Sequence, residues 1–120
     1  SNARAMAPPN CNAMALVIIP LAPGKADDAI ALFKDHEMGL KYTLSQKGAV
    51  DFDVGVQTAE DGSQTMYIFE HWHEEADYAA YVATRGDKEL MKEWDAAFGP
   101  CVAGPPTIKW FPRKFSVSNG

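Results

Sequence analysis

Val50-Asp51-Phe52-Asp53-Val54-Gly55-Val56-Gln57-Thr58, then Glu60-Asp61-Gly62-Ser63, then Thr65-Met66-Tyr67-Ile68-Phe69-Glu70-His71-Trp72-His73: this stretch decides the fold. Its first part alternates strictly, with Val50, Phe52, Val54 and Val56 on one face and Asp51, Asp53, Gly55 and Gln57 on the other. Period two with one apolar side is the pattern of a half-buried strand. The Glu-Asp-Gly-Ser segment is a hairpin loop. The third part is a second strand, with Met66, Ile68, Glu70 and Trp72 opposite Tyr67, Phe69, His71 and His73. A hairpin of this kind needs a sheet around it.

Working outward, Met14 to Ile19 is aliphatic on both faces and stops at Pro20, as expected of a strand covered on both sides. After a Pro23-Gly24 turn, Lys25 to about Gln46 carries Ala26, Ala29, Ile30, Phe33, Leu40 and Leu44 at helical spacing. Asp27 and Asp28 at its start and Lys41 and Lys47 near its end suit the macrodipole, and Gly48 stops it. Downstream of the hairpin, Glu74 opens a short Ala-rich helix to about Ala83. A second piece follows over Lys88–Phe98, with Leu90, Met91, Trp94, Ala97 and Phe98 as its stripe. Thr107 to Phe111 is a last strand before Pro112. The order β-α-β-β-α-β predicts an α+β, ferredoxin-like domain: an antiparallel four-stranded sheet with helices on one face. The first and third strands form its central pair. Both are apolar on both sides, so the open face needs a cover. A second copy of the same sheet is the simplest one, which predicts a homodimer.

Of 120 residues, 47% are hydrophobic and 22% charged, which fits one folded domain and argues against global disorder. With 11 Lys+Arg against 16 Asp+Glu the net charge is −5. That disfavours nucleic acid and anionic membrane as partners. No apolar run is long enough to span a bilayer. Cys11 and Cys101 give neither a disulfide framework nor thiolate metal spacing, and a reducing cytoplasm fits them. Residues 1–13 are read as the remnant of a cleaved tag (Ser1-Asn2-Ala3) and a loose Pro- and Ala-rich leader. Residues 14–115 form the domain, and 116–120 a frayed tail.

Gly48-Ala49-Val50-Asp51-Phe52-Asp53-Val54, followed by Tyr67-Ile68-Phe69-Glu70-His71-Trp72-His73-Glu74-Glu75-Ala76, resembles the antibiotic biosynthesis monooxygenase family. A glycine-led second strand, an aromatic strand ending Glu-x-Trp and an acidic helix start carry the likeness, which extends from Met14 to Phe111. The resemblance implies a dimeric α+β barrel. It also implies chemistry of the kind that some relatives perform, oxidation of phenols or quinols by oxygen with no cofactor. Other branches degrade heme or process a quorum-sensing signal. Where the family often places a histidine nine residues after the Trp, this chain has Tyr81. Met91 stands where the heme-degrading branch has its histidine, and there is no Asn between Met14 and Pro20. Heme cleavage is therefore disfavoured.

If the first helix runs unbroken, Glu37 falls near the centre of its apolar stripe, where desolvation would lift it toward the range of a general base. His36 lies on the flank of that stripe and is the second candidate base. Trp72 and Phe33 are expected to clamp a flat ring, with Glu70 on the Trp72 face. Tyr67, Tyr78 and Tyr81 are candidate donors to a developing anion, and Trp94 with Phe98 core or cavity wall. For each, plain core packing or a solvated surface is the alternative. His71-x-His73 shares one strand face, but without a third ligand no metal site is assigned. Three functions are consistent with this set: a cofactor-independent oxygenase of a small aromatic phenol or quinol, an isomerase or processing enzyme for a small polar signal, and a non-catalytic dimeric binding module.

Overall fold

A computed structural model describes residues 11–117 and 119. In chain order the elements are β1 (Ala13–Leu21), α1 (Ala26–Asp35), α2 (Leu40–Leu44), β2 (Ala49–Thr58), β3 (Gln64–Trp72), α3 (Glu75–Arg85), α4 (Lys92–Phe98), a 3-10 turn (Gly99–Cys101) and β4 (Thr107–Pro112). The sheet order is β2-β3-β1-β4, all neighbours antiparallel, so β1 and β3 are the central pair as expected. β1 starts one residue before the expected Met14, and Cys11 just ahead of it is fully buried. The expectation for the first ten residues lies outside the described part of the chain.

Register fixes the two faces. Ala15 pairs with Glu70 and with Trp110, and Val17 with Ile68 and Ile108. Directly opposed residues share a face, and this face carries the buried set Ala13, Ala15, Ile19, Met66, Ile68, Glu70 and Trp72. The helices lie on it. Two clusters fill the space between. One gathers Ile19, Phe33, Met66, Met91 and Trp94; the other gathers Ala13, Ala15, Trp72, Tyr78 and Tyr81. The opposite face pairs Leu16 with Phe69 and Met14 with Phe111, and no helix of the described residues lies over it. The half-buried Met14, Leu16, Ile18 and Phe69 make that face apolar along its centre.

The first helical region is the main correction. Periodicity predicts one helix from Lys25 to Gln46, but α1 ends at Asp35 and His36 is extended (φ −70°, ψ 141°). The His36 N–H still bonds to Leu32 O, and the His36 ring Nδ1 accepts the Met38 N–H at 3.0 Å. Gly39 then packs under the end of α1: a Cβ there would stand 2.6 Å from Phe33 O and 2.7 Å from Leu32 O. Only a residue without Cβ fits so close to those carbonyls. The expected stripe also loses members, since Leu44 is 56% exposed and Leu90, assigned to the α4 stripe, is 44% exposed.

Candidate active site

A cavity of about 470 Å³ lies between the helix-side face of the sheet and α3, α4 and the segment 99–106. Its floor includes Val17 and Ile68, its roof Phe33, Trp94 and Phe98, and one side Tyr78, Tyr81 and Arg85 of α3. Most of the wall is apolar and much of it aromatic. Trp94 and Phe98 stack at 4.8 Å and 16°, and Phe33 meets Trp94 edge-on at 5.0 Å. Such walls suit a flat ring.

Polar groups on this wall are few. Glu70, only 3% exposed, lines the cavity. Its Oε1 accepts the indole N–H of Trp72 at 2.9 Å. Burial pushes the Glu70 carboxyl above the ordinary glutamate range, and the Trp72 hydrogen bond and the Arg85 charge only partly pull it back. Tyr78 stacks on Trp110 at 5.3 Å and 12°. Its hydroxyl is the one buried side-chain oxygen without a hydrogen-bond partner among the described residues. Burial raises the Tyr78 phenol strongly, and the nearby Glu70 adds to this, so it stays a neutral donor. A buried donor left unpaired costs about 1–3 kcal/mol.

Arg85 ties this wall together. Its Nε donates to Tyr81 Oη at 2.8 Å, Nη1 to Met38 O at 2.6 Å, and Nη2 to Gly39 O at 3.2 Å and Thr43 Oγ1 at 3.0 Å. α3 thus brings a cation to the Met38 and Gly39 carbonyls at the helix break. The guanidinium also lies 5.3 to 5.4 Å from the ring centres of Tyr42, Tyr81 and Trp94. Tyr81 Oη and Thr43 Oγ1 are 2.8 Å apart. Burial raises the Tyr81 phenol, and Arg85 opposes the rise.

Of the expected site residues, Phe33, Glu70, Tyr81 and Trp94 line the cavity. Trp72 is fully buried behind the wall, holding Glu70 by its indole and Tyr81 by stacking at 5.1 Å and 28°. Three expected residues are elsewhere. Tyr67 is on the opposite sheet face, its hydroxyl donating to Gln57 Oε1 at 3.1 Å. Glu37 is exposed in the turn after α1, because the helix on which its position was reckoned ends two residues earlier. His36 borders a separate open surface groove and meets Trp94 edge-on from outside at 5.3 Å. Neither candidate base belongs to the cavity wall. Arg85 went unassigned in the sequence, although Tyr78, Tyr81 and Arg85 are spaced three and four apart on one face of α3. His71 pairs with Asp51 at 2.7 Å on the open sheet face, and no cluster of three metal-ligating side chains occurs among the described residues. No helix among them is long and apolar enough to cross a membrane.

No family model matches the chain, and no curated protein matches it by sequence. Solved structures do. A monooxygenase from Streptomyces coelicolor, product of ActVA-Orf6 and solved in complex with nanaomycin D, superposes with a TM-score of 0.67 at 16% identity, over 94% of this chain and 96% of that one. A protein from Chloroflexus aurantiacus assigned to the antibiotic biosynthesis monooxygenases gives 0.60 at 16% identity, over 91% and 99%. Another with that assignment, from Bordetella bronchiseptica, gives 0.60 at 16%, over 88% and 99%. The chain has the fold of the antibiotic biosynthesis monooxygenases. At such identities the likeness concerns the fold, and the site has to be argued from this chain's own residues. Within the antibiotic biosynthesis monooxygenase fold, the Glu-x-Trp end of β3 carries Glu70 and α3 carries Tyr78, and both line the cavity.

Proposed function

We propose that this protein is a cofactor-independent monooxygenase that oxidises a small aromatic phenol or quinol with molecular oxygen. The observation that carries the reading is Glu70: a buried carboxyl, oriented by Trp72, on the wall of a mostly aromatic cavity. A carboxylate in such surroundings is a stronger base than one in water, which suits removal of a phenolic proton. Glu70 replaces His36 and Glu37 as the base, since both stand off the cavity.

The chemistry needs little else from the protein. The Glu70 carboxylate takes the phenol proton, and the electron-rich anion transfers electrons to oxygen. For a phenol going to a quinone, one oxygen atom replaces a ring hydrogen as a new carbonyl and the other leaves as water. All four electrons come from the substrate, so no separate reductant is called for. Tyr78, the unpartnered donor, bonds to the negative charge that develops on oxygen. Phe33, Trp94 and Phe98 hold the ring and exclude water. The complex of the Streptomyces coelicolor monooxygenase with nanaomycin D supports a small-molecule site on this fold. The mostly apolar wall fits a flat ring better than the small polar signal of the isomerase alternative.

The active unit in this reading is a homodimer in which two copies cover each other's open sheet face. The test of the reaction is isotopic. Chelator-treated protein supplied with heavy-isotope oxygen and a panel of phenols and quinols is expected to yield a quinone carrying one heavy oxygen atom. Absence of label from every product, with substrate bound, refutes the proposal.

A further inference from the structure

We infer that the cavity selects uncharged aromatic ligands and rejects those carrying a carboxylate, because its one arginine is already fully engaged. This rests on the proposed reading that the cavity binds an aromatic substrate. An arginine beside an aromatic pocket ordinarily suggests capture of an acid. Among the described residues Arg85 is the only cation on the wall, and its guanidinium has five N–H groups. Five contacts occupy them: Tyr81 Oη from Nε, Met38 O and Met91 Sδ from Nη1, and Gly39 O and Thr43 Oγ1 from Nη2. Turning the guanidinium toward a ligand would take this donor from the Met38 carbonyl and break charge-assisted bonds to Gly39 O, Tyr81 Oη and Thr43 Oγ1.

The neighbouring hydroxyls cannot substitute. Thr43 Oγ1 bonds to Gly39 O at 3.3 Å and is 2.8 Å from Tyr81 Oη, so both of these hydrogens have acceptors. Tyr78 alone keeps a side-chain O–H for a ligand. The other charged groups on the wall, Glu70 and the exposed Asp95, are both acids. A carboxylate entering here gives up its hydration for one hydroxyl and faces like charge. A phenol or carbonyl oxygen needs only that one donor.

The discrimination is read by titration of tryptophan fluorescence at neutral pH with hydroxynaphthoic acid, its methyl ester and unsubstituted naphthol. The ester controls for size. Ester and naphthol are expected to bind alike, and the ionised acid at least about tenfold more weakly. In Asp95→Lys, which places a free cation on the wall, the gap should close to less than about threefold. An acid that binds the wild type as tightly as the ester overturns the inference, and so does an unchanged gap in Asp95→Lys. If none of the three binds, the aromatic-site reading falls and the inference with it. If the selectivity holds while oxygen uptake stays at background, the selectivity stands and the oxygenase assignment alone fails.

Discussion

Glu70 is the residue on which most depends, and its burial has consequences apart from catalysis. Burial raises its pKa in the folded protein above that of the unfolded chain. The folded state therefore holds the Glu70 proton more tightly. The stability tied to it is present at acid pH, below the unfolded value, and is lost as pH rises through the folded value. Glu70→Gln keeps an acceptor for the Trp72 indole and removes the charge. Relative to the wild type its melting temperature is expected to be higher at neutral pH, with the difference shrinking toward pH 4 as the carboxyl becomes neutral. Melting curves of both proteins across that range check this, and a difference independent of pH would contradict it. Catalysis should show the opposite face of the same group. Only the ionised carboxyl is a base, so the rate is expected to rise with pH through the raised pKa. Tyr78 gives a second test: Tyr78→Phe removes a buried, unpaired hydroxyl and spares the ring stack on Trp110. Folding stability should hold or improve, since an unpaired buried donor is gone, while kcat falls by about 10²-fold, the loss expected for one donor to a developing anion.

At the scale of elements, the break between α1 and α2 shapes the cavity roof and is held from α3. Gly39→Ala puts a methyl within 2.7 Å of two carbonyls of α1. It is expected to cost roughly 1–3 kcal/mol, the usual range for overpacking. Arg85→Met takes the guanidinium donor from Met38 O and breaks the charge-assisted bonds to Gly39 O, Thr43 Oγ1 and Tyr81 Oη. It should cost roughly 3 kcal/mol or more, and Arg85→Lys should recover part of it, since an ammonium reaches fewer of these acceptors. Denaturant unfolding measures all three. The same break marks where sequence reading stops. The hairpin was legible because Val50–Thr58 alternates in sequence and parity put Glu70 and Trp72 on one face, while the shift of register between Ala49 and Asp51 was not. Glu37 was placed by extending a helical period across Gly39, where Leu40 and Leu44 happen to continue the phase. The break at His36 and Gly39 is joined by a tertiary contact, Arg85 of α3 with the Met38 and Gly39 carbonyls, and the helical period of residues 25–46 does not show that contact. Arg85 was itself hidden because a cation in the last turn of a helix suits the dipole and needs no further explanation.

For the molecule as a whole, two faces of one sheet have different tasks. The helix side encloses the cavity. The open side runs through Met14, Leu16, Ile18 and Phe69, with Phe111 37% exposed at the edge. An apolar stripe of this kind on a sheet calls for a partner sheet. The wild type is expected to sediment as a dimer at micromolar concentration and Leu16→Asp as a folded monomer, because a charge at the centre of the face cannot be buried unpaired. A wild type that sediments as a monomer contradicts the proposed dimer without touching the cavity. Turnover is the other property of the whole molecule, and it is where the central claim meets measurement. Oxygen consumption should be followed with one oxidised phenol or quinol for the wild type, Glu70→Gln and His36→Ala. The account predicts steady uptake by the wild type, a loss of about 10²–10⁴ in rate for Glu70→Gln and a near-normal rate for His36→Ala. Uptake by Glu70→Gln at the wild-type rate, or its collapse in His36→Ala alone, would contradict it.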